Sequence, residues 1–300
     1  MKFIHRTLSF LLFVCISANA QNRNEIKVET LKLTDQVYML IGQGGNVGIY
    51  ASENGLIMVD DQYPHMTPKL MEAIKSISDK PIKFLLNTHW HGDHSGGNEN
   101  FNKGDVVLVA HENVRKRMST EQFNKEFNRK TPASPEAALP EVTFTDDITF
   151  HMDGENIMVF HVHDAHTDGD AIVYFADNNV LHMGDTYFGK KYPFIDISSG
   201  GSVNGVIGAI KKALIVANDD TIIIPGHGGR SNKAELRAYL TMLEEIKANV
   251  EARIAEGKSE EEIGKDASIT KKYDDKNYGD WFIKSDFMRL TFYRSLSKSK

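Results

Sequence analysis

The chain reads as an α/β protein with one large domain following its first twenty residues, on three observations. Short strand-like apolar runs alternate with helical spacings along its length. The two halves share one order: strands, a helix, a strand, then a loop bearing metal-binding side chains. In the first half that loop is Thr88-His89-Trp90-His91-Gly92-Asp93-His94-Ser95-Gly96-Gly97, with four such side chains inside six residues. No residue-level repeat accompanies the shared order.

Residues 1–20 are expected to be a signal peptide cut after Ala20. Lys2 and Arg6 give a basic start, Leu8 to Ile16 an apolar core too short to span a bilayer, and Ala18-Asn19-Ala20 small residues at the cleavage positions. Bulky Phe13 and Val14 argue against a lipoprotein variant at Cys15. An exported chain, periplasmic or secreted, follows. Of 35 basic residues Lys2 and Arg6 leave with the leader, so 33 face 41 acidic ones, a net of −8. That charge is spread out, and no basic patch suggests nucleic acid. The only cysteine, Cys15, is also lost. The mature domain, 21–300, then has no disulfide, and any metal is held by nitrogen and oxygen. No later apolar run is long enough for a membrane span.

From Ile26 to Asp60 four short runs (26–33, 36–41, 47–51 and 56–59) are punctuated by Gly42, Gly44, Gly45 and Glu53-Asn54-Gly55, which reads as an antiparallel meander. Leu70, Met71, Ile74 and Ile77 are spaced as a helix with Pro68 in its first turn. A buried strand at 82–86, the histidine loop, a strand at 106–110 and a helix over about 112–127 come next. Pro- and Ala-rich 131–140 is read as a surface loop. Strands are expected at 142–145, 148–151, 157–163, 171–176 and 180–183, a helix at about 203–217, and a strand at 221–224. Leu236, Leu240, Leu243, Ile246 and Val250 form the stripe of a long helix over about 232–256. Ser259 with Glu262 signals a capping box. The aromatic tail beyond, 257–300, is read as a helical segment docked on the core.

Imidazoles and a carboxylate beyond the end of a strand can converge on one ion, where along a sheet they would alternate between faces. Three further candidates each follow an apolar strand beside a turn-former: His166 in His163-Asp164-Ala165-His166, Asp185 in Met183-Gly184-Asp185, and His227 in Pro225-Gly226-His227-Gly228. His161, His163 and His182 lie on or beside strands and read as packing groups or as supports for ligands. His163 is also a candidate for the pocket lining.

With Asp60 after the early strand, His89-x-His91-x-Asp93-His94, His166, Asp185 and His227 in this order, the sequence resembles the metallo-β-lactamase fold superfamily over about Ile26 to Glu256. The resemblance implies an αβ/βα sandwich, two facing mixed sheets flanked by helices, with two Zn2+ ions per chain at one edge. It assigns His89, His91 and His166 to one metal and Asp93, His94 and His227 to the other. Asp185 bridges them, and Asp60 orients ligands from behind. The chemistry agrees: three imidazoles leave a tetrahedral zinc one open position, and bound water becomes nucleophilic near neutral pH. Asp93, the catalytic candidate, can orient that hydroxide and pass a proton to the leaving group.

Several segments resemble the β-lactamases that use a cysteine ligand, including Gly200-Gly201-Ser202-Val203-Asn204 and Ile224-Pro225-Gly226-His227. The resemblance places Lys190 near the substrate carboxylate and Asn204 near its carbonyl, although Lys191 is an equal candidate and both lysines also read as solvated loop charges. Asp185 stands where that subclass has cysteine and His94 where it has a non-ligand, as in the general hydrolases, including glyoxalase II. The expectation is a dinuclear zinc hydrolase that opens a small carbonyl substrate with a metal-bound hydroxide, with weak β-lactamase activity. A thioester or lactone hydrolase of glyoxalase II type is the alternative. An iron-dependent oxidoreductase and a non-catalytic binding protein on the same fold rank below it.

Overall fold

The computed structural model describes residues 26–297. The signal peptide expected at 1–20 lies outside the described residues. Seven strands form the first sheet. Glu29–Lys32, Val37–Ile41, Val47–Ser52 and Gly55–Val59 run as the expected antiparallel meander, and Ile82–Leu86, Val107–His111 and Val142–Phe144 add in parallel. The second sheet repeats the plan. Asp147–Met152, Glu155–His161, Ala171–Phe175 and Val180–His182 are antiparallel, Ile222–Ile224 joins parallel, and Ser231–Asn232 closes the edge.

The sheets face each other. Ile57, Val59, Leu86 and Val109 of the first meet Ile157, Val159, Val173 and Ile224 of the second in a continuous core. On the same strand as Ile57, Leu56 and Met58 point the other way, onto Leu70 and Ile74 of helix Thr67–Ile77. Both faces are covered, which is why Gly55–Val59 reads as an unbroken apolar run and not as an alternation. Truncating Ile57 to alanine is expected to cost about 2–5 kcal/mol. Edge strand Asp147–Met152 does alternate, exposed with half-buried. Helices Val203–Val216, Lys233–Ala255 and Ser285–Ser297 cover the outer face of the second sheet. The four layers are the expected αβ/βα sandwich.

Local signals account for the helix ends. The Asn232 side chain accepts from Glu235 N at the start of the long helix, and Ser259 and Glu262 form the predicted reciprocal cap. The tail docks as expected, with Met288, Phe292 and Leu296 buried. Buried Arg289 donates from Nε and an Nη to the Gly264 carbonyl and from the other Nη to Thr270 Oγ1.

One element differs. The helix expected over 112–127 ends at Met118, and a hairpin of Gln122–Asn124 and Arg129–Thr131 takes its place. Val114 and Met118 are the last side chains of the helix with core to cover. Beyond them Asn128 takes φ +47°, a turn conformation that asparagine tolerates. The hairpin tip presents Phe127 beside the centre described next.

Candidate metal centre

The parallel strands Ile82–Leu86 and Ile222–Ile224 both end at one rim of the sandwich, and the loops beyond them build the site. After His91 the first loop closes into the single helical turn Gly92–Ser95, held by His94 N and Ser95 N donating to the His91 carbonyl. That turn separates the donors: His89 and His91 fall to one side, Asp93 and His94 to the other. The donor atoms form two groups, His89, His91, His166 and Asp185, and Asp93, His94 and His227, with the atoms of each group within 4.8 Å of one another.

Four of the five rings are aimed by the far nitrogen. Buried Asp60 accepts from Thr88 N, Thr88 Oγ1 and His94 Nδ1, all at 2.7 Å, which turns His94 Nε2 inward. Because the Thr88 hydroxyl hydrogen goes to Asp60, its oxygen accepts from His89 Nδ1 at 3.1 Å, leaving His89 Nε2 inward. His91 Nε2 donates to Asp196 Oδ2 at 3.0 Å. His166 Nδ1 donates to the Phe194 carbonyl at 2.6 Å. His227 lies flat on the Phe188 ring, 6° from parallel. Such partners set tautomer and orientation in metal sites.

Asp185 lies between the groups. Its Oδ1 is 3.0 Å from His94 Nε2 and 3.4 Å from His227 Nε2, and its Oδ2 is 3.6 Å from His166 Nε2 and 3.9 Å from His89 Nε2. Two glycines permit this closeness. A Cβ on Gly226 would lie 2.0 Å from Asp185 Oδ1, and one on Gly45 would lie 2.0 Å from the His94 ring. His89, His94 and His166 are sealed, whereas Asp93 and His227 each keep about a quarter of their side chains exposed. The site therefore opens on the side of Asp93 and His227.

Charge and hydrogen bonding fit a bound cation. His89 Nε2 is buried without a hydrogen-bond partner at the centre of the cluster, where an unmatched polar atom is costly. Burial, reinforced by its neighbouring histidines, pushes His89 well below the usual histidine range; burial brings His166 down to about 4. Both rings are neutral, the form that ligates. Burial opposes a charge on His94 and His227 as well. Asp185 nevertheless drives both up, with Asp60 and Asp93 helping at His94, and His227 reaches about 9. The carboxylates thus gather positive charge where a metal would supply it.

All seven predicted donors and Asp60 come together. Lys190 and Asn204, expected at the substrate, do not join them. Lys190 pairs with Glu235 at 3.0 Å on the surface, and exposed Asn204 lies in an outer groove with Lys211, Glu244 and Lys247. The carry-over fails because helix Val203–Val216 begins by bonding inward, through the Ser202 hydroxyl to the Asp164 carbonyl and to Gly205 N, which turns position 204 outward. His182 is buried and donates from Nε2 to the Asn46 carbonyl, His161 donates to the Asp170 carbonyl, and His163 is exposed. Sequence reasoning missed Asp196, whose signal was the run Asp196-Ile197-Ser198-Ser199: Asp196 caps this turn by accepting from Ser198 N and Ser199 N. It also missed Trp281 and Phe282, which border the site although the tail was read as core packing.

A sandwich of this layering with two adjoining sets of nitrogen and oxygen donors at its rim defines a class of metal-dependent hydrolase. The model of the metallo-beta-lactamase superfamily matches residues 40–227, and the chain belongs to that superfamily. It is similar to the hydroxyacylglutathione hydrolase GloC of Haemophilus influenzae, 27% identical over 182 residues that cover 60% of this chain and 80% of the relative. It is also similar to the metallo-beta-lactamase type 2 of Bacteroides fragilis, 21% identical over 238 residues, covering 76% and 90%. Among solved structures, a metallo-beta-lactamase from Pontibacter korlensis superposes with a TM-score of 0.60 at 21% identity, over 73% of this chain and 99% of that one. An inverting sec-alkylsulfatase from Pseudomonas sp. gives 0.65 at 17% identity, over 92% of this chain and 51% of its own. The structures establish the fold.

Proposed function

We propose that the chain is an exported dizinc hydrolase that cleaves a carbonyl substrate, an ester, thioester, lactone or β-lactam. The observation that carries this reading is the position of Asp185, whose two oxygens face the two donor groups separately. His89, His91 and His166 would hold one ion, Asp93, His94 and His227 the other, with Asp185 shared. Bound zinc supplies Lewis acidity toward the carbonyl and lowers the pKa of water toward neutrality.

The remaining work falls to the chain. Asp60, Thr88, Asp196 and the Phe194 carbonyl lock the imidazoles before substrate arrives, so little reorganisation is needed during reaction. Asp93 is ionised: burial would raise it, but His94 and His227 hold it down at about 2. Its Oδ2, on a side chain about a quarter exposed, is placed to take a proton from the attacking water and return it to the leaving group. The sealed floor excludes stray water.

A thioester or lactone hydrolase of glyoxalase II type is the second reading, favoured over a true β-lactamase by the ligand set. Asp185 fills the place of the lactamase cysteine, and Lys190 is engaged with Glu235 instead of the site. The test is hydrolysis of a chromogenic cephalosporin and of S-acyl thioesters by residues 21–300, with metal counted by elemental analysis and Asp185→Ala as the blank. Two zinc ions per chain and turnover absent from the variant support the hydrolase. Unchanged metal content and turnover in the variant would overturn the second site.

A further inference from the structure

Beside the donor groups runs a band of aromatic rings that the ligand assignment leaves unused. Phe188 lies flat on His227, and Phe194 stacks on His91 at 5.8 Å with the rings inclined by 27°. Trp281 contacts Phe188 at 5.3 Å and His227 at 5.9 Å. Phe282 follows at 6.1 Å from Trp281, then Phe127 of the hairpin at 5.2 Å from Phe282. Phe282 and Phe127 are 58% and 40% exposed, unusual for phenylalanines clustered next to a polar centre. Trp281 and Phe282 lie beyond residues 40–227, the part the family model covers.

We propose that this band is the binding surface for a long alkyl chain on the substrate, and that it sets the preferred substrate class. The proposal rests on the hydrolase reading above. Three features favour such an occupant. The inner end of the band touches the imidazoles themselves, so whatever covers it also reaches the reacting carbonyl. From His227 the rings pass through Trp281 and Phe282 to Phe127 and return by Phe194 to His91 in steps of about 5–6 Å, a wall broader than a short acyl group. Polar groups at its border are already satisfied. The Trp281 indole N–H donates to the Tyr192 carbonyl, leaving only its ring to offer, Glu126 pairs with Arg294, and Lys190 with Glu235. These pairings leave the rings as the feature the wall itself offers, and rings reward apolar area.

The test uses zinc-loaded residues 21–300 and 4-nitrophenyl esters from butanoate to decanoate. kcat/KM is expected to rise about threefold per methylene, and Phe282→Ser and Phe127→Ser to flatten that rise. Ile215→Ser, at an 85% exposed site on helix Val203–Val216, serves as control. Binding is read separately by quenching of Trp281 fluorescence with 2-butanone and 2-decanone, carbonyl compounds with no ester bond to cleave; Trp281→Phe identifies the signal. Decanone is expected to bind at least about tenfold more tightly, with that gain lost in Phe282→Ser. If no ester is hydrolysed but this preference appears, the reaction assignment fails and the band stands. A flat series in the wild type, or a rise and preference unchanged in both serine variants, overturns the band.

Discussion

The two halves of the sandwich share a plan but build the metal centre differently. The first half places four donors on one loop of six residues, backed by one buried carboxylate, Asp60, that reaches both Thr88 and His94. The second half sends three donors from three loops, each held by distant contacts. His166 depends on the Phe194 carbonyl, and the His227 loop on Asn46, whose amide donates to the Pro225 and Gly228 carbonyls. Local density lets one carboxylate serve two residues of the first loop, although its His91 is held from the second half by Asp196. The second half inherits its geometry from packing, so it should be the more fragile partner.

The largest effect is expected at the residue where the halves meet. Asp185→Ala should remove at least one bound ion and lower hydrolysis more than about a hundredfold, beyond what loss of a supporting partner causes. Steady-state kinetics beside elemental analysis measure it; retention of both ions would break the comparison. Next come the two supporting carboxylates. Asp60→Ala strands three buried donors and should cost about 3 kcal/mol, with metal affinity falling roughly 10–100-fold. Asp196→Ala, which frees only His91 among the ligands, should fall near tenfold. Competition with a chelator ranks them, and equal losses would show the first loop to be no more self-contained than the others.

The glycines sharpen the contrast at a smaller scale. Gly45→Ala meets the His94 ring, whereas Gly226→Ala meets Asp185 and, at 2.6 Å, the Gly184 carbonyl of the backbone. Each overpacking is expected to cost about 1–3 kcal/mol, with Gly226→Ala the worse because backbone yields less than a ring. Denaturant midpoints decide the order. The smallest effect concerns the seam itself, where His111 of the first sheet stacks on His161 of the second at 3.8 Å. Burial, with the neighbouring His111 adding to it, holds His161 down to about 4 against its ordinary 6.5. Between those values the unfolded chain takes up a proton that the folded chain refuses. Stability is therefore full above 6.5 and lost as pH falls toward 4, by about 1 kcal/mol at pH 5.5. The drop in Tm from pH 7.5 to 5.5 should be smaller in His161→Gln; an equal drop would remove this histidine from the seam's acid response.

Much of this was legible in the residues. The meander, the buried strands, the long helix over 233–255 and the Ser259–Glu262 capping box all follow from periodicity and capping chemistry. The hairpin at 122–131 was not, because the loss of core to cover after Met118 and the left-handed turn at Asn128 are set by packing that the local spacing does not reveal. Asp196 was not either: the run Asp196-Ile197-Ser198-Ser199 marks a capped turn, but the hydrogen bond to His91 spans 105 positions. Lys190 and Asn204 were placed by resemblance in spacing, and the local bonding of their own loops carried them elsewhere.

By itself the sequence determined which atoms can bind metal and in what order they arrive, since histidines and aspartates gathered where strands end have few other uses. It also determined that no cysteine lies beyond position 15, so that the donors gathered where the strands end are nitrogen and oxygen. Tertiary structure alone decided how the donors divide, which nitrogen of each ring points inward, and that Trp281, Phe282 and Phe127 line one wall beside them. Ligand chemistry is a property of side chains, whereas orientation and surroundings come from contacts between segments far apart along the chain.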